Sequence, residues 1–156
     1  MNFPKLAASI VVCFAAAFAG NFFTLPALDG WYKELIKPPF NPPNSIFGPV
    51  WTILYFMMAI SFYLVWTKKA AKNKKRKAIH IFLAQLLMNF LWSFAFFGLQ
   101  QPLLGVIVII VLWGLIYKSI IYFKPISPLA SYLLYPYLAW VSFASILNFA
   151  IAVLNF

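Results

Sequence analysis

Carboxylates are nearly missing from this chain: Asp29 and Glu34 are the only two acidic residues among 156. A two-carboxylate catalytic pair is therefore not expected. Cys13 is the single cysteine, which excludes an intrachain disulfide, and His80 is the single histidine. Four ligands for a structural zinc site cannot readily be assembled from so few candidates, so no metal and no required cofactor are expected. Charge of any kind is scarce, at 9% of residues, against roughly 25% in soluble domains. The shortage points away from a soluble fold.

What fills the space is apolar. Leu6 to Leu28 carries no charged residue, nor does Pro38 to Thr67, and Ala78 to Tyr117 holds only His80. Pro125 to Phe156 is also uncharged. A membrane-spanning helix needs roughly 20 such residues. In lipid each backbone polar group must be paired inside the protein, which favours helices. Apolar residues follow one another directly, unlike the alternation of a membrane β-barrel. We expect one all-α domain, an integral membrane bundle of five transmembrane helices. The spans are placed at residues 4–25, 44–67, 78–99, 103–123 and 129–154. Lys5, Leu6 to Phe14 and Ala17-Phe18-Ala19 imitate a cleaved signal peptide. The apolar run continues through Phe22 and Phe23, so this segment is read as the first span. Pro26 and Gly30 are expected to end it and to open a loop reaching Pro43. Pro136 predicts a kink in the last span.

The net charge of +10 comes largely from one cluster, Lys68, Lys69, Lys72, Lys74, Lys75, Arg76 and Lys77, between two apolar spans. Beside membrane helices such a cluster is a topology signal, and attraction to anionic headgroups follows from it. Nucleic acid is not an expected partner. With five spans, one side carries Lys5, the cluster, Lys118 and Lys124, and the other only Lys33 and Lys37. The positive-inside rule puts the N-terminus in the cytoplasm and the C-terminus outside, most simply in a bacterial plasma membrane.

Polar and aromatic residues inside the spans are the informative ones. Gln85, Asn89, Trp92, Ser93 and Phe96 recur at steps of three and four, hence on one helix face. Trp51, Tyr55 and Met58 do the same, as do Tyr137, Trp140, Ala144 and Asn148. Asn89 and Asn148 should face the bundle interior. There they act either as interhelical glue worth about 1 kcal/mol each or as ligand contacts. Counted from the outer ends of their own helices, Trp51, Trp92 and Asn148 lie about 10 Å deep and Asn89 about 15 Å. Trp140 counts deeper, near the midplane. The pattern suits an aromatic cavity opening to the outer side, with the proline-rich first loop as its lid. Trp66, beside Lys68, reads as an interface anchor. Trp113 is read as lipid-facing or packing, and Trp31 as anchor or lid. Ala16-x-x-x-Gly20 is a small-residue pair that lets helices approach.

Four motifs resemble the TspO/translocator family. They are Trp31-Tyr32-x-x-Leu35-x-Lys37-Pro38-x-Phe40-x-Pro42-Pro43, Gly48-Pro49-Val50-Trp51, Asn89-x-x-Trp92 with Phe96-Phe97-Gly98, and Leu134-Tyr135-Pro136-Tyr137-Leu138-Ala139-Trp140 followed by Phe143 and Leu147-Asn148. The resemblance implies a five-helix bundle, commonly a homodimer. It implies binding of porphyrins, and in some members of cholesterol or benzodiazepine-type ligands, beneath the first loop. Carried over by motif, the contacts are Trp31, Tyr32, Trp51, Tyr55, Asn89, Trp92, Phe96, Trp140 and Ala144, to which the residue pattern adds Asn148. Some members promote light-dependent porphyrin breakdown, in which the indoles matching Trp51 and Trp140 are implicated. Those two are the only catalytic candidates. Phe40 stands where the family usually has Trp. Phe149 replaces a Tyr proposed for cholesterol and no basic residue follows Lys124, which speaks against sterol specificity of that kind. Leu115-Ile116-Tyr117-Lys118 fits only a loose sterol pattern. The functions in contention are a receptor or sensor for tetrapyrroles and other flat hydrophobic ligands, a light-dependent porphyrin-degrading enzyme, and a facilitator of lipophilic ligand movement. Active transport ranks below these, because five spans preclude a two-fold repeat and no acid lies inside a span.

Overall fold

The computed structural model describes residues 1–156 as helices joined by short connections. They are α1 (Phe3–Asp29), the single turn α2 (Trp31–Glu34), α3 (Asn44–Thr67), α4 (Lys72–Ser93), α5 (Pro102–Phe123), the short α6 (Pro128–Tyr132) and α7 (Tyr135–Leu154). Five helical segments are long and apolar enough to cross a membrane, with α6 and α7 counted as one. The expected five-helix, all-α bundle is what forms. The first loop and the C-terminus lie at one end of the bundle, and the lysine cluster lies at the other.

The boundaries depart from the sequence reading in four places, each with a local cause. Pro26 does not end α1, which continues to Asp29. A proline near a helix end removes one hydrogen bond, to the carbonyl four residues back, and the chain tolerates it. The first loop contains a helical turn, α2, before Leu35 turns extended. Helix α4 starts at Lys72, so Lys72 to Lys77 form helix rather than loop. Lysine and arginine are good helix formers, and nothing in Asn73-Lys74-Lys75-Arg76 stops the helix once it leaves the apolar layer. The last span is interrupted rather than kinked: α6 ends at Tyr132 and α7 begins at Tyr135. The Pro136 ring stands where the bond to the Tyr132 carbonyl would form. Side chains hold this break in place. Ser61 Oγ donates to the Ala130 carbonyl (2.7 Å), and Ser131 Oγ donates to the Ile120 carbonyl (2.9 Å).

A fifth feature had no counterpart in the sequence reading. α4 runs on into a π-helical turn over Phe94–Gly98, closed by Leu99 N–H on the Phe94 carbonyl at 2.7 Å. Gln100 then takes the left-handed conformation, φ 56°. The wider turn buries Phe96 and Phe97 together. Gly98 gives it room, since a Cβ there would stand 2.9 Å from the Phe23 ring. Such turns recur at functional sites.

The bundle interior is divided. In its basic half, Phe62, Phe82 and Phe123 stack across α3, α4 and α5, with centroids 5.0 and 5.5 Å apart. Met58, Leu112, Ile116 and Val141 complete a closed core there. Lipid offers no hydrophobic drive between helices, so van der Waals packing and interhelical hydrogen bonds hold this half. The small pair Ala16-x-x-x-Gly20 is used within the chain. Gly20 is buried, and a Cβ on it would lie 3.1 Å from Ser93 Oγ on α4. The other half of the interior is hollow.

Candidate ligand-binding site

The hollow is a cavity of about 550 Å³ walled by α1, α3, α4 with its π-turn, and α7. Of the residues singled out from sequence, Tyr32, Trp51, Tyr55, Asn89, Trp92, Phe96, Trp140, Ala144 and Asn148 all line it. Trp31 does not: it packs edge-on against the Phe96 ring, centroids 5.7 Å apart, behind the wall. Three helices supply the indoles, and their rings point inward. Trp51 and Trp92 lie 6.2 Å apart and tilt by 34°, and Trp92 and Phe96 lie 6.0 Å apart and tilt by 30°. The three rings form a shallow fan.

Beneath the fan runs a buried hydrogen-bond chain. Tyr55 Oη donates to Asn89 Oδ1 (2.9 Å), and Asn89 Nδ2 donates to Tyr137 Oη (2.7 Å). Tyr137 Oη donates onward to Gln85 Oε1 (2.8 Å). The chain ties α3, α4 and α7 at one level and fixes the cavity floor. At the opposite wall, Trp92 Nε1 donates to Asn148 Oδ1 (3.0 Å), and Asn148 Nδ2 donates to the Pro102 carbonyl (2.9 Å). Asn89 and Asn148 therefore do join helices, and both also face the hollow. Trp140 differs: its indole Nε1–H is buried and has no partner. An orphaned buried donor costs about 1–3 kcal/mol.

Two expectations about the cavity's shape are corrected. Trp140 is not deeper than Trp51. Phe47, one turn before Trp51, packs on Trp140 (6.0 Å), while Trp51 packs on Tyr137 (6.2 Å). Counting from each helix's own end assumes that the ends are level, and they are not. The first loop descends along α7, from Ile36, hydrogen-bonded to Asn155, to Phe40 beside Phe143, so α3 begins well below the end of α7. The loop also does not cover an upward mouth. Tyr32 is buried against the Phe97 ring, its Oη donates to Asn41 Oδ1 (3.0 Å), and Lys37 Nζ sits 4.8 Å from its ring. Burial pushes the Tyr32 phenol up to about 12. The lining residues that are exposed are Phe18, Asn21, Leu25, Asn44, Ser45, Gly48 and Thr52, all on α1 and α3. The mouth therefore opens sideways between these two helices. Nearer the basic end they close up, through Phe14 on Phe56 (5.2 Å) and Asn2 N–H on Tyr63 Oη (3.0 Å).

Sequence reasoning missed the α1 wall entirely. Phe14, Ala17, Asn21, Thr24 and Leu28 recur at steps of three and four and all line the cavity. The signal was present in Asn21 and Thr24, polar residues on one stripe of an apolar span. Tyr137 was placed on the right face but not among the site residues, and the structure makes it the hub of the floor. Trp66 is half-buried beside Lys5 at the basic end. Trp113 is partly exposed, and its Nε1 donates to Ser142 Oγ (2.8 Å).

Comparison with known proteins agrees with this architecture. The pattern of the TspO/MBR family matches residues 9–154. The chain is 48% identical to the tryptophan-rich protein TspO of Archaeoglobus fulgidus, over 99% of both chains. It is 45% identical to the tryptophan-rich protein TspO of Chlorobaculum tepidum, over 96% of this chain and 95% of that one. It is 35% identical to the human translocator protein, over 86% of this chain and 80% of the human one. A family pattern along nearly the whole length, five helices able to cross a membrane and relatives matched end to end lead to one assignment: this multi-pass integral membrane protein belongs to the TspO/MBR family.

Proposed function

We propose that the protein is a membrane receptor or sensor for tetrapyrroles of the protoporphyrin type and other flat hydrophobic molecules, held in the cavity between α1, α3, α4 and α7. The observation that carries this reading is the fan of Trp51, Trp92 and Phe96 in the wall of a hollow that Trp140 lines as well. Near-parallel rings favour a planar guest. The cavity volume lies within the roughly 300–1,000 Å³ of small-molecule sites. His80 is exposed on α4, more than two turns from Asn89, so no imidazole is at hand to ligate iron in the cavity. A metal-free macrocycle suits the site better than haem. The test is quenching of tryptophan fluorescence by protoporphyrin in the parent, Trp51→Phe and Trp140→Phe. Both variants should bind more weakly, and unchanged titrations in both would remove the proposed site.

The same experiment separates binding from chemistry. If Trp51 and Trp140 support photo-oxidation, bound porphyrin bleaches under light faster than free porphyrin, and an equal rate argues for binding alone. A second reading is favoured by the sideways mouth. A lipophilic guest could enter from the acyl chains and move along the bundle, as the name of the human relative suggests. Porphyrin flux into liposomes tests that. We place the basic end in the cytoplasm of a bacterial plasma membrane by the positive-inside rule. In a Cys13→Ser background, Lys69→Cys should react with impermeant thiol reagents only from the cytoplasmic face.

A further inference from the structure

The basic end carries a second, shallower cleft of about 440 Å³ that the cavity does not explain. It is lined by Lys5 from α1, Trp66 at the end of α3, and Lys72, Lys75, Arg76, Ile79 and His80 on α4. The start of α1 and the α3–α4 turn, distant in sequence, therefore bring four permanent cations to a cleft that one indole lines. Two of these cations are held in place. Lys5 Nζ lies 5.5 Å from the centre of the Trp66 ring, and Lys75 Nζ donates to the Trp66 carbonyl at 3.2 Å. Both lysines are half-buried. The start of α1 is itself pinned, by Asn2 N–H on Tyr63 Oη, so Lys5 is positioned rather than free. The only two acidic side chains, Asp29 and Glu34, are at the far end of the bundle. Gathered, partly desolvated ammonium groups without a counter-charge call for an anion from outside the chain.

We propose that this cleft binds the phosphate of an anionic phospholipid. The surroundings select a lipid over a free anion. Trp66 and Ile79 give the cleft an apolar floor. From His80 the exposed side chains Leu83 and Leu87 continue down the same face of α4, at steps of three and four, as a bed for an acyl chain. The phosphate then meets Lys5, Lys72, Lys75 and Arg76 at the level where an interfacial tryptophan sits. Lys68 and Lys69 lie outside the cleft, which separates a built site from diffuse attraction of a basic surface.

The test uses the full chain in neutral detergent, offered equal amounts of phosphatidylglycerol and phosphatidylcholine, with retained lipid read by native mass spectrometry. The parent should retain phosphatidylglycerol in preference by about tenfold. Lys5→Gln/Lys75→Gln should bring retention near parity. Lys68→Gln/Lys69→Gln removes the same charge and should leave the preference intact. Lys72→Gln/Arg76→Gln must act like the first pair, which covers any disturbance of α1–α4 packing by that pair. Parity in the parent overturns the proposal, and so does an equal loss from Lys68→Gln/Lys69→Gln, which would mean diffuse charge. Displacement of the lipid by millimolar inorganic phosphate would mean a free-anion site and overturns it too.

Discussion

Gly105→Ala is the sharpest perturbation of the cavity, because it acts from α5, which does not line it. A Cβ at Gly105 would stand 2.8 Å from Asn148 Oδ1, 3.0 Å from Phe96 Cδ2 and 3.2 Å from Phe96 Cβ. To reach the 3.4 Å of ordinary contact, Asn148 Oδ1 must retreat by about 0.6 Å. It accepts the Trp92 indole bond at 3.0 Å, and a retreat of that size carries the bond beyond useful length. The lost bond costs about 1 kcal/mol, and overpacking against Phe96 adds about 1–3 kcal/mol. The gain in helix propensity from removing a glycine works in the opposite direction. Gly114→Ala on the same helix cancels that term, because a Cβ there meets nothing within 4 Å. Chemical unfolding in mixed micelles should find Gly105→Ala less stable than Gly114→Ala by about 2–4 kcal/mol. Porphyrin titration should show weaker binding only for Gly105→Ala, since Phe96 and Asn148 both line the cavity. If the two variants unfold together and bind alike, Gly105 does not set the position of Asn148, and the account of the Trp92 wall fails.

Tyr137→Phe should destabilise the protein by about 1–2 kcal/mol in the same unfolding assay, because it strands both Asn89 Nδ2 and Gln85 Oε1. Tyr55→Phe, which removes a terminal donor from the chain, should cost less. Gly48→Leu places a side chain at the mouth, where a Cβ meets nothing within 4 Å. Stopped-flow quenching should show slower porphyrin association with the final spectrum unchanged, and an unaltered rate would deny the mouth between α1 and α3. Tyr32 links the first loop to pH. Its folded phenol is raised to about 12 from the ordinary 10, so the neutral form is favoured on folding. The stability it contributes is complete below pH 10 and is lost as pH climbs from 10 towards 12. Unfolding midpoints between pH 9 and 11.5 should fall less steeply in Tyr32→Phe than in the parent.

Much of the molecule can be read from its residues in order, and the reason is local. A run of some 20 apolar residues demands a paired backbone in lipid wherever its neighbours are. Spacing of three or four puts Trp51 with Tyr55, Asn89 with Trp92 and Trp140 with Ala144 on shared faces whatever the bundle looks like. Five spans, their order and the inward aromatic faces therefore follow from sequence. What the helices do to one another does not. Whether helix ends are level depends on how the first loop descends along α7, which is why Phe47 meets Trp140 and Trp51 meets Tyr137. The π-turn at Phe94–Gly98 sets Gly98 against Phe23, on a helix far away in the sequence. The unpaired Trp140 donor and the mouth between α1 and α3 are likewise features of how the helices pack. Such outcomes rest on ångström-scale clearances between distant segments, and only the assembled bundle decides them.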